Sequence, residues 1–341
     1  MVEIAVVGIG FMGMTHFRGA RAVRGGKVTA ICTRDEKKLK GDWREITGNF
    51  GDPGGVEDLS GVRLYRGIDN LLADPKIQMV DICLPSAHHR EAVVKSLRAG
   101  KHVLVEKPIA LTVRDADMMV REAEKAGRSL MVAQVLPFFP EFKYLLTVVK
   151  SGKYGKLLGG HFKRIISMPD WSSAFSNLAQ SGDPGIDLHI HDTHYTLMLC
   201  GLPEKVFSTG RMIQGKCVEY LCTTYLYEDR PDLALTCASG VISKPGRPFT
   251  HGFEVYLEKA TITYEVPGAL TVLTANGKVQ TPKLGGGDPV EAFTEEIQEA
   301  VDQVRKGKIS EALSGGRAAD ALRLCFTEIQ SVQRGRQVRV R

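Results

Sequence analysis

The chain has 341 residues, 43% hydrophobic and 25% charged, and carries a net charge of +6. This length accommodates two domains, and the composition is that of a globular protein rather than a disordered one. The mild positive charge has no basic tract behind it, which argues against a nucleic-acid partner because phosphate tracking needs a concentrated basic face, and no apolar run of ~18 residues is present to span a membrane as a helix.

Seven cysteines lie at 32, 83, 200, 217, 222, 237 and 325, with no C-x-x-C pair. That odd, scattered set predicts buried free thiols in a reducing, cytoplasmic setting. The chain enters a strand-like run at once, "VEIAVVGIG", without the charged and apolar regions of a signal peptide.

"EIAVVG" (3–8) is a short continuous apolar run, the pattern of a strand buried on both faces. It ends in Gly8-Ile9-Gly10-Phe11-Met12-Gly13, a complete G-x-G-x-x-G. The helical "MTHFRGARAV" and a second strand, "KVTAICTR" (27–34), follow. A βαβ context turns a weak glycine pattern into a dinucleotide-binding one. Gly8 permits the tight turn, Gly10 lets a pyrophosphate approach, and Gly13 lets helix and strand pack closely. The helix start, with Phe11 and Met12 in the loop, presents free N–H groups to phosphate.

The end of the second strand reports on the ribose. An acidic residue there would bind the 2′-hydroxyl of NAD. The chain instead reads Cys32-Thr33-Arg34, with Asp35 one step later. Thr33 removes a charge that would repel a 2′-phosphate, and Arg34 can pair with one. The pair favours NADP, and Asp35 keeps NAD open.

Strand and helix patterns keep alternating to about residue 135, as in a doubly wound sheet. "ITGNFGDPGGVEDLSG" (46–61) reads as a loop insertion. "QMVDICLP" and "KHVLVEKP" are strands, and "HHREAVVKSLRAG" is a helix between them. A strand of such a sheet delivers its C-terminal residues to the ligand crevice. Pro108 cannot continue the ladder and biases Lys107 toward an extended backbone. Lys107 can therefore be aimed at a ligand, and a desolvated lysine beside a cationic nicotinamide can exchange protons.

The glycine loop, "ICLPSAHHREAV" and "AGKHVLVEKPIA" together resemble the Gfo/Idh/MocA oxidoreductases, in order and spacing. The resemblance implies that Lys107 reaches both the substrate alcohol and the nicotinamide. It implies that Pro85, Ser86, His89 and Glu106 line the nicotinamide-ribose side. It also implies a C-terminal open-faced sheet that pairs with another subunit, as a homodimer or homotetramer.

The second half changes period. "LLGGHFKRIIS", "KVFSTGRMI", "VEYLCTTYLYE", "LALTCASGVI", "THGFEVYLEK", "ATITYEV" and "LTVLTAN" are β-rich runs separated by turn signals. They predict a mostly antiparallel sheet of at least about six strands. The fold class is thus α/β: a Rossmann domain over residues 1–135, then an α+β domain over 136–341.

A second chemical cluster lies in "DPGIDLHIHDTHYTLMLCG". A helical pattern starts at Asp187 and stops at Gly201. Asp187 and His191 are four apart and share one helical face, with His194 three further on. The family's D-x-x-x-H pair maps onto them, implying His191 as general acid/base, an ordinary task for an imidazole. His194 departs from the family's frequent Asp, and Pro137 from its frequent basic residue. His189, His191, Asp192 and His194 also form an H-x-H-D-x-H set of zinc-ligand type. On a helix His189 and His191 diverge by about 200°, so no resident metal is expected and His189 is assigned to the core. Residues 161–175 read as a substrate-side loop in which Arg164 and Trp171 suit a sugar. The expected activity is hydride transfer between nicotinamide and a secondary alcohol of a sugar-like substrate, with Lys107, Asp187 and His191 catalytic. A redox-neutral epimerase or glycoside-cleaving enzyme and a non-catalytic dinucleotide sensor are the alternatives.

Overall fold

Six of the short apolar runs become parallel strands: β1 (Val2–Val7), β2 (Gly26–Cys32), β3 (Arg63–Tyr65), β4 (Met79–Ile82), β5 (His102–Glu106) and β6 (Leu130–Ala133). They lie in the order β3-β2-β1-β4-β5-β6, every ladder parallel. The computed structural model describes residues 1–167, 182–213, 217–285 and 288–340. All of β4 and β6 is buried, as continuous Val/Ile/Met runs require when helices cover both faces. Those helices include α1 (Phe11–Gly19), α2 (Glu36–Leu39), α3 (Ile68–Leu72), α4 (His89–Arg98) and α5 (Val113–Ala126). Thr112 caps α5 by accepting the Asp115 N–H. Strand order reverses between β1 and β4, the place where doubly wound sheets open a ligand crevice.

Downstream come α6 (Pro140–Ser151), α7 (Pro184–Cys200), α8 (Pro289–Lys306) and α9 (Gly315–Arg334). The chain divides into two compact units, Met1–Phe138 with Gly286–Ala319 and Phe139–Gly285 with Asp320–Arg341. A single cut near residue 135 therefore does not divide it. The reason is apolar: Ile297, Ala300 and Val301 of α8 belong to the same buried cluster as Ile4, Val6 and Val28 of the parallel sheet.

Residues 46–61 carry little regular structure, as expected, yet the segment is tied to α1. Trp43, just before it, is fully buried and stands edge-on to Phe17. Arg18 binds the Glu57 carboxylate and the carbonyls of Asp52 and Pro53.

Among its described residues the second unit holds nine strands: β7 (Leu157–Ser167), β8 (Lys205–Ile213), β9 (Cys217–Leu226), β10 (Ala234–Ser243), β11 (Thr250–Leu257), β12 (Ala260–Glu265), β13 (Thr271–Thr274), β14 (Val279–Gln280) and β15 (Val338–Arg339). Their order is β14-β13-β12-β11-β7-β10-β9-β8-β15. Only the β7–β10 ladder is parallel, so the sheet is mostly antiparallel as expected. One face packs under α7, where Ile166, Leu188 and Val241 are buried together. Tyr195 of α7 donates to the Phe142 carbonyl at 2.6 Å. On the other face Phe207, Thr224, Thr236, His161, Glu254 and Thr263 run in register from strand to strand, and Phe207, Glu254, Tyr256 and Leu273 are exposed.

Candidate active site

The glycine loop occupies the switch point of the parallel sheet. Gly8 has φ +93°, and a Cβ there would lie 2.8 Å from the Cys83 carbonyl oxygen at the end of β4. A Cβ on Gly13 would lie 1.9 Å from the Gly8 carbonyl oxygen. Neither position tolerates a side chain. Gly10 is the opposite case, since a Cβ there meets nothing within 4 Å. The close contacts thus fall where strand and helix must pack, and open space falls where a ligand must approach the backbone. Gly10 is the N-cap of α1 and offers no side-chain cap, and a helix N-terminus of this kind can receive an anion. These features fit a bound dinucleotide.

At the end of β2, Thr33 is half-buried and Arg34 exposed. The Asp35 carboxylate accepts from the N–H groups of Lys37 and Lys38, capping α2. The Asp35 carboxylate is thus engaged by its own helix.

Lys107 follows β5. From Val103 to Ala110 every residue is buried except Lys107. Its neighbours fix its backbone from two sides. The Glu106 carboxylate accepts the Lys107 N–H at 3.0 Å. His89, fully buried, has Nδ1 2.9 Å from the Pro108 carbonyl and Nε2 2.8 Å from the Leu84 carbonyl. Burial pulls the His89 ring below its ordinary value against the opposing pull of its two carbonyl partners. His89 therefore ties the β4 and β5 loops together, and its ring nitrogens face protein carbonyls rather than a cofactor. Pro85 is exposed and Ser86 half-buried on the first of these loops.

Beneath the loop lies a polar cluster with no sequence signature. His16 of α1 is completely buried. Its Nδ1 is 2.9 Å from the Asp81 carboxylate of β4, and its Nε2 is 3.2 Å from Glu106 and 3.9 Å from Glu296 of α8. Burial opposes a charge on His16, but the neighbouring Asp81 outweighs it and holds the ring well above its ordinary value. Burial pushes the Glu106 carboxyl up, while the adjacent His16 ring and the charge of Lys107 bring it below the ordinary range. Glu296 is driven well above that range by burial, reinforced by Glu106 and Asp81 over the opposing pull of His16. The His16 ring thus lies between the Asp81 and Glu106 carboxyl groups, with Glu296 alongside, and its surroundings favour the charged form of the ring and the protonated form of Glu296. His16, Asp81 and Cys83 also bring three donor atoms within 4.8 Å of one another, a grouping that the ion pair already accounts for.

In the second unit, α7 begins earlier than its pattern suggests. Asp183 caps it by accepting the Gly185 N–H, with Pro184 following, so Asp187 stands in its first turn. Asp187 and His191 are half-buried, whereas His194 is completely buried. His189 is a core residue: its Nε2 is 2.9 Å from Glu328 and its Nδ1 2.5 Å from Ser239. The first part of the expected substrate-side loop is strand instead, and residues 168–175 lie outside the described residues. Residues 161–167 continue strand β7, because alternate residues Phe162, Arg164 and Ile166 all turn into the core. The Arg164 guanidinium grips Asp192 with two bonds, at 2.7 and 3.0 Å. Trp171 lies outside the described residues.

Residues 2–134 match the family described as "Oxidoreductase family, NAD-binding Rossmann fold", Gfo/Idh/MocA. Those residues thus resemble the NAD-binding Rossmann domain of the Gfo/Idh/MocA oxidoreductases. Myo-inositol 2-dehydrogenase of Thermotoga maritima is 29% identical over 62% of this chain and 59% of its own length. The 2,7-anhydro-N-acetylneuraminate hydratase of Escherichia coli is 28% identical over 62% of the chain and 53% of its own. The chain thus spans little more than half the length of these relatives. The solved structure of levoglucosan dehydrogenase in complex with NADH has the same fold, with a TM-score of 0.86, 16% identity, and coverage of 100% of this chain and 99% of the other.

Sequence reasoning found the glycine loop and Lys107 but missed His16 and Glu296. The only available signal for His16 was a histidine inside a helix that otherwise packs under a sheet. No helix among the described residues is long and apolar enough to cross a membrane.

Proposed function

We propose that the chain is an NAD(P)-dependent oxidoreductase acting on a secondary alcohol or ketone of a sugar, cyclitol or sugar derivative. The observation that carries this reading is the open space at Gly10 between two glycines that admit no side chain, with Lys107 the one partly exposed residue at the end of β5. The first-turn N–H groups of α1 bind the phosphates. When bound, the dinucleotide supplies the hydride acceptor or donor. Lys107 orients the substrate hydroxyl. His191 holds or moves the hydroxyl proton, and Asp187, one turn before it, hydrogen-bonds the substrate or tunes that transfer. The name of the relative myo-inositol 2-dehydrogenase supports the sugar and cyclitol class. The hydratase relative favours a second reading, a redox-neutral reaction in which oxidation is transient.

Absorbance at 340 nm, followed with NAD⁺ and NADP⁺ against a panel of aldoses and cyclitols, separates the two. Reduced cofactor accumulating in step with product supports net oxidation. Solvent deuterium entering the sugar without net absorbance change supports the redox-neutral reading. Cofactor binding with neither signal overturns both.

For the cofactor we propose a preference for NADP(H), because Arg34 is exposed while the Asp35 carboxylate caps α2. Arg34→Ala is expected to weaken NADP(H) about tenfold or more, the loss of one charge-assisted phosphate pair, and to leave NAD(H) affinity nearly unchanged. Calorimetric titrations in which both cofactors lose equally contradict the assignment.

We further propose a homodimer or homotetramer through the exposed face of the nine-stranded sheet, where Phe207, Tyr256 and Leu273 are uncovered. Light scattering at micromolar concentration should give at least twice the chain mass of 37.4 kDa, and Tyr256→Asp should lower it.

A further inference from the structure

We propose that His16 is a positioning residue for Lys107, linking the dinucleotide helix α1 through Glu106 to the Lys107 backbone. This rests on the reading of Lys107 as catalytic and extends it to a residue in no motif of the active site. The chain of contacts is continuous. His16 is anchored by Asp81 at 2.9 Å through one ring nitrogen. Through the other it faces Glu106 Oε1 at 3.2 Å, and Glu106 Oε2 accepts the Lys107 N–H. One carboxylate thus has one oxygen against the His16 ring and the other on the backbone of the lysine. On the far side His89 lies against the Pro108 carbonyl. The strand end that carries Lys107 is therefore held at an N–H before the proline and at a carbonyl after it, both by buried side chains.

The burial is what makes the link specific. His16 is 0% exposed, Asp81 1% and Glu106 7%, so no water competes for these partners and the carboxylate has few alternative rotamers. An unpaired Glu106 would have to turn toward solvent or take up a proton. Either change releases the Lys107 N–H. Helix α1 begins at Gly10, where the phosphates bind, and His16 lies on the same helix. The seat of the dinucleotide and the seat of Lys107 thus share one rigid connection, and displacement of a catalytic group by about 1 Å can cost about 10²-fold in rate.

The test is amide hydrogen exchange of the holoenzyme read at the Lys107 N–H, together with kinetics. His16→Gln keeps a donor for Asp81 but removes the charge facing Glu106. It is expected to raise exchange at Lys107 by about tenfold or more while peptides from α5 and from the second unit stay unchanged. Turnover should fall about 10–100-fold, with dinucleotide Kd within about threefold, because the loss is one of positioning. Glu106→Gln, which still offers an oxygen to the Lys107 N–H, should keep more protection than Glu106→Ala. Unchanged exchange at Lys107 in His16→Gln overturns the proposal, as does a uniform rise across the first unit, which marks a purely structural histidine. If His16→Gln does not fold, the Glu106 pair decides: equal protection in Gln and Ala variants overturns the link. Lys107→Ala is measured in parallel. Full turnover in that variant removes the catalytic reading of Lys107 but leaves the exchange result to stand for His16.

Discussion

Lys107→Ala is expected to lower kcat by about 10²–10⁴-fold, the range for loss of a group that handles a proton in the transition state. Dinucleotide affinity should stay within about threefold of the parent and thermal unfolding should be unaltered. The structure supplies the reason for that separation. The residues around Lys107, from Val103 to Ala110, are buried, while Lys107 itself is only partly so. Truncating it removes a functional amine without deleting core volume. His191→Ala, made on a half-buried position of α7, should show the same pattern: a loss in kcat greater than any change in KM. Steady-state kinetics of both variants on a sugar identified from the panel, with cofactor titration and melting curves, make the measurement. A Lys107→Ala enzyme within about threefold of wild-type kcat would remove the lysine from the mechanism. An unaltered His191→Ala across the pH profile would move the acid/base role elsewhere.

The second large effect is on stability. Arg164 and Asp192 form a two-bonded ion pair whose side chains are 5% and 0% exposed. Asp192→Ala leaves a guanidinium buried without its anion, and loss of one partner of a buried pair costs about 3–5 kcal/mol. Nearby His251 is already held down to about 3 by burial and by the Arg164 charge, so that ring takes up no positive charge at physiological pH. Replacing both partners, Arg164→Met with Asp192→Leu, should recover most of the loss, because two apolar groups carry no desolvation penalty. Denaturant unfolding followed by probes in the second unit, whose transition need not coincide with that of the first, checks both variants. If Asp192→Ala costs under about 1 kcal/mol, water reaches the pair and its burial is not real. The same pairing explains why Arg164 departs from its sequence reading: an arginine in "HFKRIIS" looks exposed until its partner, 28 residues away on a helix, is known.

The Gfo/Idh/MocA likeness of the first 134 residues, the strand–glycine loop–helix unit and the position of Lys107 were all legible in the sequence. Their determinants are local: a run of apolar residues, three glycines at fixed spacing and a proline after a lysine each act within a few residues of themselves. The nine-stranded sheet was legible as β-rich segments with turns between them, since alternation along a strand is also local. Strand order, including the parallel β7–β10 ladder inside a mostly antiparallel sheet, was not, because ladder partners are chosen by packing between distant segments. The return of α8 to the first unit escaped for the same reason: its apolar face says that it is buried, not against which sheet. The buried charges escaped most completely. His16 and Asp81 are 65 residues apart, and nothing in either neighbourhood announces the other. A lone histidine, aspartate or glutamate reads as a surface group until the fold removes water from around it. Only then does each charge require a partner, and only the tertiary structure decides which partner that is.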